Sequence, residues 1–363
     1  MQCTHARVNL IRLPDTATAR KIRVCLTPHS PRPQFSRRGP LKTFFDTIIA
    51  LMFAIVINAD AAAQSFPSRP LTLVVGYPPG GSVDLIARTI APELGRRLGQ
   101  PVVIDNAAGA SGTIGTQKVV AATPDGYTLL LGSGSEISIA KLTNRALRYD
   151  GARDLTPIAL IGTQPMVLVG KATLEAKTID ELVSAAKRTP GKFSFASSGN
   201  GTPLHLAGEM INQRGNIQLV HVPYKGAAPM INDLLGGQVD LAVLVLSSAM
   251  PHIKAGKIKA LGLTEARRSA AAPDIQALAE NKALAGVDMG VWFGLFAPAR
   301  LAPAISERIQ KELLATLSDP IIRNKLSEAG VTVVASPSAE LAAFVSRETE
   351  KYRQIVEVAK ITD

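Results

Sequence analysis

At 363 residues, with 46% hydrophobic and 19% charged side chains, the chain has the composition of an ordinary globular protein and the length of about two domains. Only 4% is aromatic, and the net charge of +11 is front-loaded: nine basic and three acidic residues fall before residue 64, which leaves +5 for the remainder. With neither aromatic stacking platforms nor a dense basic patch after residue 63, nucleic acid is not an expected partner, whereas the modest surplus suits a small anion.

Residues 1–63 read as a cleavable export signal. Arg37, Arg38 and Lys42 precede an apolar run, Thr47 to Ile57, and then Ala61-Ala62-Ala63; basic, apolar, small is the order of a signal peptide, with cleavage expected near Ala63. The run of 11 residues is well short of the roughly 20 that a spanning helix needs. Ser36-Arg37-Arg38-Gly39-Pro40-Leu41-Lys42 is similar to a twin-arginine signal with Pro40 where Phe is usual, so the Sec and twin-arginine routes both stand. The stretch before Arg32 is longer than a signal needs, which leaves a downstream start codon open. Cys3 and Cys25 both lie in this segment. A mature chain without cysteine has no disulfide, thiolate metal site, cysteine nucleophile or lipid-modified terminus.

From Arg69 onward the pattern is strand, glycine-rich turn, helix. Leu71–Val75 is a short apolar strand, broken by Gly80-Gly81-Ser82; Ile86, Ile90, Leu94 and Leu98 then recur at helical spacing until Gly99 stops the helix. Val102–Ile104 is a second strand, followed by a small-residue turn over Gly109–Gly112, a helix to about Ala122, and a strand over Tyr127–Leu131. Thr178-Ile179-Asp180-Glu181 is a capping-box pattern opening a helix to about Arg188. Phe193–Ala196 is a strand with Ser197–Gly201 as its exit, and Thr202-Pro203 reads as an N-cap with proline at the first helical position. Leu219–Val222 and the apolar Val239–Leu246 are strands, separated by the Pro223–Gly226 loop and a helix ending at Gly236-Gly237. A strand near Trp292–Ala297, helices over Pro303–Ser318 and Ile321–Ala329, and a final helix to about Val358 complete the chain, with Ser336-Pro337 expected to start that last helix.

This alternation predicts an α/β protein with largely parallel pairing. Two sheets are expected, joined by connecting strands near Ile158–Val169 and between Lys259 and Phe296. The lobes would comprise residues 64–164 with 288–363, and residues 165–287. A chain that leaves one lobe, builds a second and returns creates a cleft, and ligands in open α/β sheets lie beyond the carboxyl ends of strands.

Four loops stand at such strand ends: Tyr77–Asp84, Gly132–Ser135, Ser197–Thr202 and Pro223–Gly226. Two lead directly into helices, whose free N–H groups and dipole favour a carboxylate. Each loop alone is what any β-to-α turn looks like; four at one cleft point to ligand binding.

The order of these segments resembles the Bug family, the extracytoplasmic solute-binding proteins of tripartite tricarboxylate transporters. Pro70-Leu71-Thr72-Leu73-Val74-Val75-Gly76-Tyr77-Pro78-Pro79-Gly80-Gly81-Ser82-Val83-Asp84 is similar to the family's opening, and the similarity runs on through Pro124–Leu130, Ala196–Thr202, His205–Glu209, Val222–Gly226, Asp233–Val239, Pro251–Lys257 and Trp292–Pro298. The resemblance implies a two-lobed, type II periplasmic-binding-protein (Venus-flytrap) fold with its cleft between two mixed sheets. It also implies a ligand carboxylate held largely through water by the first loop. Carried over, Tyr77, Pro78, Gly81, Ser82, Asp84, Ser133 and Ser135 would face Ser198, Asn200, Gly201, Thr202 and Tyr224 across the cleft. The expected partners are a small carboxylate, a di- or tricarboxylate or an aromatic acid, and integral-membrane permease subunits. The protein is expected to be a periplasmic monomer with neither cofactor nor metal.

Three positions depart from the family pattern. Val243-Leu244-Val245 replaces a usual Phe-Asp-Asn, Glu136 stands where histidine is common, and Lys141-Leu142 replaces a frequent Asn-Pro. The missing acid disfavours an amino-acid ligand. Enzyme readings fail on the residues: Gly76-x4-Gly81-Ser82 lacks the lysine of a phosphate loop, and Gly199-Asn200-Gly201 lacks a third glycine. His205 and Glu209 share a helix face without a second ligand pair, so His205 reads as a packing residue. His221 reads as structural, and Trp292 and Phe293 as core. A ligand sensor of the same fold that presents its solute to a membrane sensor kinase is the alternative that sequence does not separate from transport.

Overall fold

The computed structural model describes residues 66–362. The sequence-stated export segment lies outside them, and Gln64–Asp363 forms one compact unit. Among the described residues eleven strands make two sheets. The first contains β1 (Leu71–Val75), β2 (Val102–Asn106), β3 (Thr128–Ser133), β4 (Leu155–Gln164), β10 (Val291–Pro298) and β11 (Thr332–Pro337), in the order β11-β4-β10-β3-β1-β2. The second contains β5 (Met166–Lys171), β6 (Ser194–Ser197), β7 (Val220–Pro223), β8 (Leu241–Val245) and β9 (Ile258–Leu263), in the order β7-β6-β8-β5-β9. The helices are α1 (Ser82–Leu98), α2 (Thr113–Val120), the one-turn α3 (Ala140–Thr143), α4 (Ile179–Arg188), α5 (Pro203–Gly215), α6 (Ala227–Leu235), α7 (Leu246–Lys254), α8 (Pro303–Ser318), α9 (Pro320–Glu328) and α10 (Ser338–Ala359).

Pairing is parallel where helices cross over (β1 with β2 and β3; β6 with β7 and β8) and antiparallel where the chain changes sheet: β10 against β3 and β4, and β5 against β8 and β9. Both sheets are therefore mixed rather than largely parallel, because each must accept a strand arriving from the other.

Side-chain alternation along the first sheet feeds two cores. Leu71, Leu73 and Val75 pack with Ile86, Ile90 and Leu94 of α1 and with α8 on one face. Val74, Leu130, Leu160, Trp292 and Phe296 pack with Leu341 and Val345 of α10 on the other. β10 alternates likewise, with Phe293 and Leu295 facing α1 and Trp292 and Phe296 facing α10. The second sheet has its own core, from Val167 and Phe195 to Leu206, Met230 and Leu241, and this core also takes Tyr352, Ile355 and Val356. A 22-residue helix is about 33 Å long, so α10 reaches from one core into the other.

The connecting strands expected near Ile158–Val169 are β4 and β5, one in each sheet, separated by Pro165, which has no N–H to give a ladder. Two expectations are corrected. Ser336-Pro337 does not start a helix: Ser336 pairs with Leu160 and Pro337 with Ala159 at the end of β11, and α10 begins at Ser338. Proline is tolerated there because β11 is an edge strand. The apolar run over Val239–Leu246 is strand only from Leu241 to Val245, since Leu246 already opens α7.

Trp292 and Tyr352, 1% and 0% exposed, are joined by a 3.1 Å hydrogen bond from the indole Nε1 to the phenolic oxygen. Tyr352→Phe should leave that buried N–H unpaired and lower unfolding free energy by about 1–3 kcal/mol. Trp292→Phe should then cost less in the Tyr352→Phe background than alone, as measured by a double-mutant cycle in urea.

Candidate functional site

The loop after β1 delivers the chain to the start of α1. Its turn residues Pro78, Pro79, Gly80 and Gly81 are exposed, and Ser82 is half-buried. Gly81 caps α1 without any side-chain hydrogen bond, so the first-turn N–H groups carry no internal acceptor from the cap. Asp84 serves the loop from inside. It is 2% exposed and accepts from Gly80 N–H at 2.9 Å, Arg88 Nε at 2.8 Å and Asn106 Nδ2 at 3.0 Å; Asn106 Nδ2 also donates to the Tyr77 carbonyl at 3.1 Å. The Arg88 guanidinium holds the Asp84 carboxyl at about 2, against its burial and with help from Gly80 and Asn106. Asp84 thus braces the loop and offers no free carboxylate.

Beneath this loop lies the turn Gly109–Gly112, which the sequence marked as small but not as part of the site. Ala110 and Ser111 both have positive φ, 45° and 52°, a strain that non-glycine residues accept where the surroundings fix it. A Cβ on Gly76 would stand 2.7 Å from Gly112 Cα, so the two backbones touch and only glycine fits.

β3 ends at Ser133, and after Gly134 alone a π-helical turn, Ser135–Ile139, begins and runs into α3. Ser133, Ser135 and Ser138 are buried and Glu136 is wholly so. Its carboxylate gathers three donors: Ser133 N–H at 2.6 Å on one oxygen, and Ser133 Oγ at 2.8 Å and the Tyr77 hydroxyl at 2.6 Å on the other. Ser133 Oγ and the Ser111 carbonyl lie 3.2 Å from the same hydroxyl. Burial pushes the Glu136 carboxyl up to about 7, opposed by the Tyr77 and Ser133 bonds; burial, reinforced by Glu136, pushes the Tyr77 phenol well above its usual range. Tyr77 and Ser133 are therefore brought together, but on Glu136, which the sequence singled out only as a departure from a family pattern. The legible signal was an acid within Ser133-Gly134-Ser135-Glu136, straight after an apolar strand.

On the second sheet, Thr202 caps α5 as expected: its Oγ1 accepts from His205 N–H at 3.3 Å and donates to the Gly199 carbonyl at 2.8 Å, with Pro203 next. Gly201, at φ 65°, donates its N–H to His205 Nδ1 at 3.2 Å. A Cβ on Gly201 would lie 3.4 Å from Thr143 of α3, so this loop faces the element that follows the Glu136 turn. Ser198 is half-buried and Asn200 exposed. Tyr224 joins the loop through its backbone, donating its N–H to Ser197 O at 3.0 Å, while its hydroxyl donates to Asp233 at 2.7 Å. Burial, with Asp233, pushes that phenol up to about 12. Leu244, where the family acid is missing, is wholly buried in the second core.

His205 and His221, read from sequence as packing and structural residues, support this loop as a pair that the sequence did not reveal. The His205 and His221 rings stack with centroids 3.7 Å apart, and His221 Nε2 is 2.7 Å from Ser197 Oγ. His205 Nε2 is 3.8 Å from Glu209. Burial lowers His205 to about 3, with His221 contributing, and lowers His221 to about 4.

Residues 86–361 match the model of the TctC family, described as the tripartite tricarboxylate transporter family receptor. The chain belongs to this family. It is 37% identical over 308 residues, 85% of this chain and 91% of the other, to the UPF0065 protein in the tcbD-tcbE intergenic region of Pseudomonas sp. (strain P51). It matches the structure of the periplasmic binding protein BugD at TM-score 0.70 and 32% identity, covering 82% of this chain and 99% of that one. The match to R. palustris Rpa4515 with adipate has TM-score 0.74 and 31% identity, with the same coverage. The family resemblance and the two-lobed periplasmic-binding fold expected from sequence are both borne out.

Neutral stacked imidazoles make folding pH-dependent with a definite sign. The unfolded chain binds protons at about 6.5, whereas the native pair resists protonation until about 3 and 4. Native stability from this source is full above pH 6.5 and declines as pH falls below it. Wild type should lose about 1.5 kcal/mol relative to His205→Gln between pH 6.5 and 5, measured by urea unfolding at each pH.

Proposed function

We propose that the chain is a periplasmic solute-binding protein that captures a small carboxylate, a di- or tricarboxylate or an aromatic acid, by closure of its two lobes and delivers it to membrane permease subunits of the tripartite tricarboxylate type. The observation that carries this reading is the start of α1: a 17-residue helix whose cap supplies no side-chain acceptor, at the end of an exposed Pro-Pro-Gly-Gly turn and at the carboxyl end of a central strand. Such a terminus is an anion site in need of an anion. The matched structure of R. palustris Rpa4515 with adipate supports a carboxylate as that anion. No pair of groups in these loops is arranged for proton transfer to a substrate: Asp84 is spent on Arg88, and Tyr77 on Glu136. The family is one of receptors, which fits binding rather than turnover.

The ligand residues on this reading are Pro78, Gly81, Ser82 and Ser135 from the first lobe (64–164 with 288–363) and Ser198, Asn200, Gly201 and Thr202 from the second (165–287). Tyr77, Asp84, Ser133 and Tyr224 shape the loops that present them. Organic acids should raise the Tm of the purified protein, with adipate the first to test. Stabilisation by neutral or cationic solutes alone would sink the carboxylate assignment.

Ser82→Asp separates binding from stability. An acid in the first turn favours the helix by about 0.3–1 kcal/mol, yet it sets a like charge where the ligand belongs. Tm should hold or rise while acid affinity, measured by calorimetry, falls at least about tenfold, which is roughly 1.4 kcal/mol.

A further inference from the structure

We propose that Glu136 is a specificity-determining residue: a buried acid under the first-lobe loops that disfavours a fully ionised ligand end and couples capture of a dicarboxylate to uptake of a proton. This rests on the carboxylate-binding reading above. Three donors converge on the Glu136 carboxylate, Ser133 N–H, Ser133 Oγ and the Tyr77 hydroxyl. That set is what a bound carboxylate would itself ask for. In this chain an internal carboxylate has already taken it, and the ligand is left with the start of α1 and whatever charge Glu136 carries.

Among the described residues no Lys, Arg or His forms an ion pair with that carboxylate. The groups facing Glu136 are Tyr77 from the loop after β1, Gly112 from the strained turn, Ser133 from β3, and Tyr149, whose hydroxyl donates to the Glu136 carbonyl at 2.9 Å. The titratable ones among them are the two phenols, both pushed above their usual range by burial. The cations of neighbouring segments are engaged elsewhere: Arg88 with Asp84, Lys118 with Asp105, and Lys141 Nζ on the carbonyls of Arg145 and Leu147. A wholly buried charge acts through protein rather than water and is weakly screened. With its carboxyl held near 7, Glu136 is divided between its two forms around neutrality. A dianion bound beside it favours the protonated form, and by reciprocity protonation favours the dianion. One unit of further rise in the bound state corresponds to about tenfold in affinity.

The test is calorimetry of the purified protein with adipate and its monoamide at pH 6, 7 and 8, in two buffers of different ionisation enthalpy. For wild type, adipate should tighten about fivefold from pH 8 to pH 6 with net proton uptake, and the monoamide should change less. Glu136→Gln should abolish the proton uptake, flatten the profile and shift preference at pH 8 towards adipate by about fivefold. Adipate binding with the same pH profile in both proteins overturns this proposal and leaves carboxylate capture standing. Failure of both proteins to bind either compound at any pH overturns both readings. If the variant does not fold, a carbon-13 titration of the Glu136 carboxyl in wild type decides: a midpoint between pH 6 and 8 supports the proposal, and one near 4.5 overturns it.

Discussion

The chain leaves the first sheet at Pro165 and comes back beside it, and the bonds around that crossing set what the two halves can do. Leu246 N–H donates to Pro165 O at 2.8 Å, Thr264 N–H to Met166 O at 2.9 Å, and Met289 N–H to Thr264 O at 2.7 Å. The outgoing strand, the entry to α7 and the return path are thereby laced into one backbone band. Gln164, 1% exposed, adds a bond from Nε2 to Ala329 O at 2.8 Å. Main-chain bonds in a buried setting are costly to break, so this band ties the two sheets together where the chain crosses between them. The antiparallel strands β5 and β10 flank this crossing, β5 just after the chain leaves the first sheet and β10 where it returns.

Architecture was legible wherever the signal was local. Helical spacing in α1, the Thr202-Pro203 cap and the Gly99 stop all stand where the residues put them, with Gly99 at φ 81°. Errors fell where a distant partner decides. Ser336-Pro337 looks like a helix start until Leu160 and Ala159 arrive alongside, and Leu246 looks like the end of a strand although it already opens α7.

The candidate site divides along the same line. Its loops could be read because glycine, proline and serine are chosen for backbone shape, which is a property of the segment itself. Its chemistry could not. Tyr77 meets Glu136 across 59 positions, and Ser197 meets His221 across 24. Nor does a run of residues reveal that a carboxyl will be wholly enclosed or that two imidazoles will lie face to face. Four of the polar groups that seemed free to meet a ligand, the Tyr77, Ser133 and Tyr224 hydroxyls and the Asp84 carboxylate, instead hold neighbouring parts of the structure. Backbone donors and the remaining short side chains discriminate by position and charge more than by residue identity.

The helix α10 sets a mechanical condition on any movement between the halves. Leu341 and Val345 are seated in one core, Tyr352, Ile355 and Val356 in another, and Gln213 Nε2 of α5 holds the Ile355 carbonyl at 3.2 Å. A rod fastened at both ends resists the swing that the strand crossings alone would permit. Opening has to flex it or slide its distal half over its seat, and either distortion grows with amplitude. In mechanical terms such a joint is a flexure rather than a free pin: any displacement of one half against the other loads the helix that is seated in both cores.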